Sequence, residues 1–120
     1  MAKYMVPILL LFTAALHAQT DKFIGNWANG DESLTVEIYI QNGNYYAKAV
    51  KSEHPELIGK VVLVQMEKKS DTQLYGGTYY DEKLKTEYEA KLKIILPDTI
   101  RLTVMYGLFH KTIYWHRIFL

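Results

Sequence analysis

A chain with no cysteine and no recognisable serine, histidine and acid motif has little means of attacking a substrate covalently. No catalytic residue is assigned, and the chain is read as non-enzymatic. Four histidines remain as candidate metal ligands. A metal site needs three or four converging donors, and neither an H-x-H nor an H-x-x-x-H spacing occurs. His54 and His110 fall in connecting segments that the strand order brings near Asp81 and Glu82. Solvated loop histidines are expected there, with no metal and no cofactor. His116 alternates outward beside Tyr114 and is expected at the surface. Gly76 and Gly77 are not followed by a helical pattern, which argues against a phosphate loop.

Tyrosine supplies the remaining chemistry, with ten copies in the chain. Tyr45, Tyr88 and Tyr106 fall at inward-facing strand positions. A buried phenol needs a hydrogen-bond partner. Such hydroxyls either reach the wet rim of a packed core or orient a ligand in a pocket. Tyr45, Tyr88 and Tyr106, together with His54 and His110, are therefore the candidate ligand-binding residues. A second set is structural: Gly25 and Trp27 near the start of the fold, Trp115 and Arg117 near its end. A guanidinium stacked on an indole contributes ~0.5–2 kcal/mol. Once buried, it must also find carbonyls or a carboxylate.

Strands must hold these groups, and the clearest are in residues 34–51. Asn42 and Gly43 both accept positive φ and suit a two-residue type I′ turn. That turn sets Gln41 opposite Asn44, Ile40 opposite Tyr45, Ile38 opposite Ala47 and Val36 opposite Ala49. The other face then pairs Tyr39 with Tyr46 and Glu37 with Lys48, an opposite-charge pair across the ladder. Residues 23–28, 61–66, 73–80, 86–95, 99–106 and 112–119 also read as strands. Tyr88, Ala90, Leu92 and Ile94 point inward in one of these, and Ile100, Leu102 and Val104 in the next. A two-residue loop at Pro97 and Asp98 would set Lys93 against Leu102. An odd loop or a bulge is therefore expected, with Ile94 paired to Leu102. Gly76 and Gly77 inside a strand mark a bulge or bend. Ile113, Trp115, Arg117 and Phe119 share one face of the last strand.

Residues 1–18 read as a signal peptide, with Lys3 ahead of an apolar run over residues 6–16 that is too short to span a bilayer. Residues 19–120 are then one domain of modest core. Export without cysteine means no disulfides and no lipid-modified N-terminal cysteine. A soluble protein of the periplasm or cell exterior is expected, with no membrane span in the mature chain. Apart from Lys3, the basic residues balance the 13 acidic ones. No basic stretch stands out, so nucleic acid is not expected as a partner.

Eight sequential strands with short connections predict an all-β, antiparallel, up-and-down barrel, because closure removes both exposed edges. The even count lays the last strand beside the first and brings Trp27, Trp115 and Arg117 to one end. Turns at residues 42–43, 67–71 and 97–98 share that end. Longer loops at residues 29–33, 52–59, 81–85 and 107–111 rim the other.

Two resemblances bear on this reading. Gly25, Asn26 and Trp27 resemble the G-x-W opening of lipocalins, whose first-strand tryptophan stacks on an arginine of the last strand; Arg117 holds the matching place. From Ile24 to Ile118 the chain also resembles the exported bacterial domain-of-unknown-function family numbered 2147. The matching stretches are Gly25 to Trp27, Val36 to Tyr39, Gly43 with Lys48, Gly76 to Asp81, Tyr88 to Leu92 and Trp115 to Arg117. The chain departs from that family at Glu82, at Tyr46 with Ala47, and at Glu87. The resemblance implies a small lipocalin-like barrel of the cell envelope, with no established activity.

The function expected is binding of a small, partly apolar ligand at the loop-rimmed open end. The alternative is an envelope interaction or structural module with a filled barrel, meeting a protein or glycan through its rim loops. A cavity above ~300 Å³ at the long-loop end favours the former.

Overall fold

The computed structural model describes residues 21–119; the expected signal peptide lies outside them. The Asn42 and Gly43 turn holds the expected geometry, both residues having positive φ. Strands β1 (Gly25–Asn29), β2 (Leu34–Gln41) and β3 (Asn44–Ser52) lead to a short 3-10 turn at Pro55–Leu57. Strands β4 (Val61–Ser70), β5 (Gln73–Asp81), β6 (Thr86–Leu96), β7 (Thr99–Tyr106) and β8 (Phe109–Ile118) come after it. Each pairs antiparallel with its neighbour in sequence, and β8 pairs with β1 to close the barrel.

Every pairing expected in the β2–β3 hairpin is present. Tyr39 stacks on Tyr46 with ring centres 5.8 Å apart, and Lys48 lies 3.5 Å from Glu37. Val36, Ile38, Tyr45, Ala47 and Ala49 are buried, whereas Ile40 emerges into solvent near the turn. The core continues through Leu63, Met66, Leu92, Ile100, Leu102 and Val104.

Bulges curve the sheet. The β5–β6 register shifts between Leu74 and Gly77, as the glycine pair implied. Gly76 has positive φ there, and so has Gln65 on the facing strand β4. A Cβ on Gly77 would collide with the Val64 carbonyl oxygen and the Met66 sulfur. This is a close backbone crossing that only glycine permits.

Some expectations are corrected. Ile94 pairs with Ile100, not Leu102. Parity is kept by a register shift between Ile94 and Leu96, so the turn at Pro97 and Asp98 stays at two residues. The expected rim loop at residues 107–111 is a tight turn at Gly107 and Leu108, and β8 begins at Phe109. His110 therefore stands in a strand opposite Met105. Strand β4 runs through most of the expected turn at residues 67–71. Phe119 lies just past the end of β8 and is exposed rather than inward.

Candidate functional site

The two ends of the barrel are built differently. At one, the guanidinium of Arg117 lies over the Trp27 ring, 4.2 Å from its centre. The same group donates to the Lys22 carbonyl at 2.6 Å, the Ile24 carbonyl at 3.2 Å and the Asp98 carboxylate at 3.2 Å. The carbonyls and carboxylate that a partly buried arginine requires are all present. The Trp27 indole N–H donates to the Phe23 carbonyl at 2.9 Å. A Cβ on Gly25 would stand 2.9 Å from Arg117, so the glycine leaves room for the guanidinium. Tyr45 also belongs to this end. It packs edge-on to Phe23 and donates a hydrogen bond to Asp21. Burial, and then that bond to the carboxylate, raises the Tyr45 phenol above its ordinary pKa.

The other end is open. A cavity of about 320 Å³ lies among the loops there. Its apolar lining comes from Leu34, Leu57, Val62, Ile113 and Trp115. Leu57 is held over the barrel by the 3-10 turn, whose N–H groups bond back to His54 and Pro55. Trp115 is fully buried and contributes to this lining, while the stacking contact with Arg117 is made by Trp27.

Polar groups gather at the rim. The Tyr106 hydroxyl donates to Asp81 at 2.7 Å, and the Leu84 N–H donates to the same carboxylate at 3.0 Å. Burial alone would raise the Asp81 pKa. The Tyr106 bond, the loop N–H groups and the charge of Lys111 outweigh it and hold the carboxyl below its ordinary value. Burial, then the Asp81 bond and charge, raises Tyr106. Tyr79 also lines the cavity, and burial followed by the charges of Asp81 and Glu82 raises its phenol. Tyr88 packs on Tyr106 with ring centres 4.5 Å apart and supports it from the side.

Of the candidate ligand residues, the structure thus brings His54 and Tyr106 to the cavity lining, with Tyr88 behind Tyr106. Tyr45 is at the opposite end. His110 is exposed on β8 and is not part of the lining. Tyr79, Tyr80 and Lys111 line the cavity but escaped the sequence reading. For Tyr79 the reason is the bulge at Gly76. Leu74 and Gly77 are both buried, so inward positions change parity along β5, and simple alternation misplaces the residues beyond the bulge.

His54, Glu56 and Glu82 each offer a ligand atom within 4.8 Å of the others. The two ring nitrogens of His54 face different carboxylates, each at 3.8 Å. The His54 and Glu56 side chains are largely exposed at the rim. A solvated cluster at the rim explains this geometry.

Fold and site together define an eight-stranded lipocalin-like barrel, plugged at one end and hollow at the other. No family model and no curated protein matches the chain. Among solved structures it is similar to protein HP1028 from the human pathogen Helicobacter pylori, described as belonging to the lipocalin family. The two share 19% identity with a TM-score of 0.66, over 80% of this chain and 82% of the other. That likeness is one of fold.

Proposed function

We propose that this protein is a non-enzymatic, exported binding barrel that takes one small, partly apolar ligand into the cavity at its mouth. The observation that carries the reading is the cavity of about 320 Å³ at the long-loop end. Its volume lies at the lower edge of ligand sites, roughly 300–1,000 Å³. An eight-stranded barrel is wide enough to hold one small ligand in this way. Leu57, Val62, Ile113 and Trp115 would bury the apolar body of the ligand, and Tyr79 and the rim charges would orient its polar end. The pattern of residues 1–18 supports delivery to the periplasm or cell exterior.

Titration with the neutral fluorophore N-phenylnaphthylamine tests the reading. Saturable one-to-one binding is expected, with a change in Trp115 emission. Replacing Ile113 by Trp would narrow the cavity and weaken the binding while the fold persists. Absence of saturable binding, together with no small molecule retained in native mass spectrometry of protein from its own source, would overturn it.

A further inference from the structure

The outer wall of the barrel carries a second depression, a groove of about 160 Å³ across strands β4 to β7. Its polar and aromatic lining comes from Lys69, Gln73, Tyr75, Lys91, Lys93 and Arg101. Four of these are cations and none is an acid. No stretch of the sequence is basic; three separate strands bring the cations together. Register explains how. Gln73 of β5 pairs with Lys93 of β6, Lys93 with Arg101 of β7, and Arg101 with Tyr114 of β8. Lys91 pairs with Thr103 in the row beside it. Lys93 and Arg101 are therefore like charges directly opposed, an arrangement that destabilises a sheet. Elsewhere Glu37 opposite Lys48 gives the opposite-charge pairing that such positions favour. Among the described residues, none of the four cations is in an ion pair. Asp71 at the nearby turn is taken by Lys68 at 3.1 Å, and Asp98 by Arg117 at 3.2 Å. Glu67 stands opposite Tyr75, and Glu89 is the next outward position of β6. Counting both against the four cations leaves the region positive.

We propose that this groove binds a sulfate or phosphate ester on a short anionic glycan. An oxyanion seated between Lys93 and Arg101 turns a repulsive pair into two attractions. The planar fork of Arg101 can meet two oxygens of the ester, and Lys69 and Lys91 neutralise further charge in the same groove. Tyr75 is exposed, with Lys69 5.9 Å from its ring centre, and offers a flat apolar face to a sugar ring. Gln73 beside it can both donate to and accept from sugar hydroxyls. A longer polyanion fits poorly. On β6 the outward positions beyond Lys91 are Glu89 and Glu87, so the positive strip is short. A nucleic-acid backbone following the wall would meet those carboxylates. None of the groove residues lines the cavity at the mouth, so the site does not depend on the ligand reading.

Calorimetric titration with sucrose octasulfate, a small sulfated disaccharide, tests this at about 0.15 M salt. Saturable one-to-one binding is expected, with none for sucrose itself. Lys93→Gln combined with Arg101→Gln should lower the affinity about tenfold or more. Lys69→Gln combined with Lys91→Gln should weaken it several-fold. The first pair of changes removes a repulsion, so its melting midpoint at low salt should equal or exceed the parent's. Lys51→Gln combined with Lys60→Gln removes the same charge outside the groove and should leave the affinity within about threefold. The site is refuted if sucrose octasulfate does not bind, if neither groove variant weakens it, or if the change at Lys51 and Lys60 weakens it as much. Sucrose binding as well as its sulfated form would refute the need for an anion. A short oligothymidylate binding as tightly as the sulfated sugar would refute a glycan site and mark a nucleic-acid groove.

Discussion

Arg117 of the last strand lies over Trp27 of the first, with its guanidinium 4.2 Å from the ring centre, and the two residues are also direct partners in the β1–β8 ladder. One side chain therefore joins the two strands that close the barrel. It also gathers the N-terminal segment through Lys22 and Ile24 and the β6–β7 turn through Asp98. Arg117→Ala should cost about 2–4 kcal/mol, the sum of the stacking and several charge-assisted hydrogen bonds. Arg117→Lys should recover only part, because an ammonium cannot span three acceptors as a planar fork does. Urea unfolding measures both; a loss under ~0.5 kcal/mol for Arg117→Ala would mean that closure does not depend on this contact.

Gly77 gives a second test, independent of that end. Its missing Cβ makes room for backbone of the neighbouring strand, which cannot swing aside as a flexible side chain can. Gly77→Ala should therefore destabilise by ~1–3 kcal/mol or more, as overpacking does. Gly30 has open space around it and no unusual φ. Gly30→Ala should stay within about 0.5 kcal/mol of the parent. Similar melting curves for the two variants would refute the close crossing.

These contacts show how far residue patterns reach. Asn42 and Gly43 fixed their turn, and alternation on both sides left one possible register, so β2 and β3 could be read residue by residue. The first and last strands were joined through Trp27 and Arg117 because an even meander makes them neighbours. Bulges broke the same logic. The shift between Ile94 and Leu96 moved Ile94 to Ile100, and the one at Gly76 hid Tyr79 from the inward face. Phe109, His110 and Lys111 looked like loop because all three are exposed. A strand end that projects past the barrel has solvent on both faces and so loses its period of two. Tyr45 was legible as inward, and its position beside the Asn42 turn already placed it away from the mouth.

Two hydroxyl–carboxylate pairs give the fold a dependence on pH at both extremes. Asp81 has a lowered pKa in the folded state. Its contribution is present above the unfolded carboxyl value, about 4, and is lost as pH falls through the lower folded value. Tyr45 and Tyr106 are raised. Their contribution is complete below the ordinary phenol value, about 10, and is lost as pH rises through the higher folded values. Asp81→Asn should flatten the acid limb of the stability curve. Tyr45→Phe and Tyr106→Phe should flatten the alkaline limb. In tyrosinate absorbance, three phenols, Tyr45, Tyr79 and Tyr106, should ionise late, together with unfolding. A parent protein whose tyrosines all ionise near the ordinary value while still folded would contradict both pairs.

Tyr79 separates binding from stability. Tyr106 is committed to Asp81, so its loss would disturb the rim itself. Tyr79 lines the cavity with its ring, and its phenol is kept neutral by burial and by Asp81 and Glu82. A neutral hydroxyl in that position can donate to a carbonyl, ether or carboxylate on a bound molecule. Tyr79→Phe keeps the ring and removes only this donor. Unfolding free energy should change by less than ~0.5 kcal/mol. Affinity for a ligand with an acceptor group should fall roughly 5–10-fold, the worth of one net hydrogen bond. Affinity for N-phenylnaphthylamine, which offers no oxygen acceptor, should hardly move. Calorimetric titration of parent and variant with one apolar and one acceptor-bearing ligand of similar size reads the difference directly. Equal losses for both ligands would mean that Tyr79 shapes the cavity and does not orient the molecule that enters it.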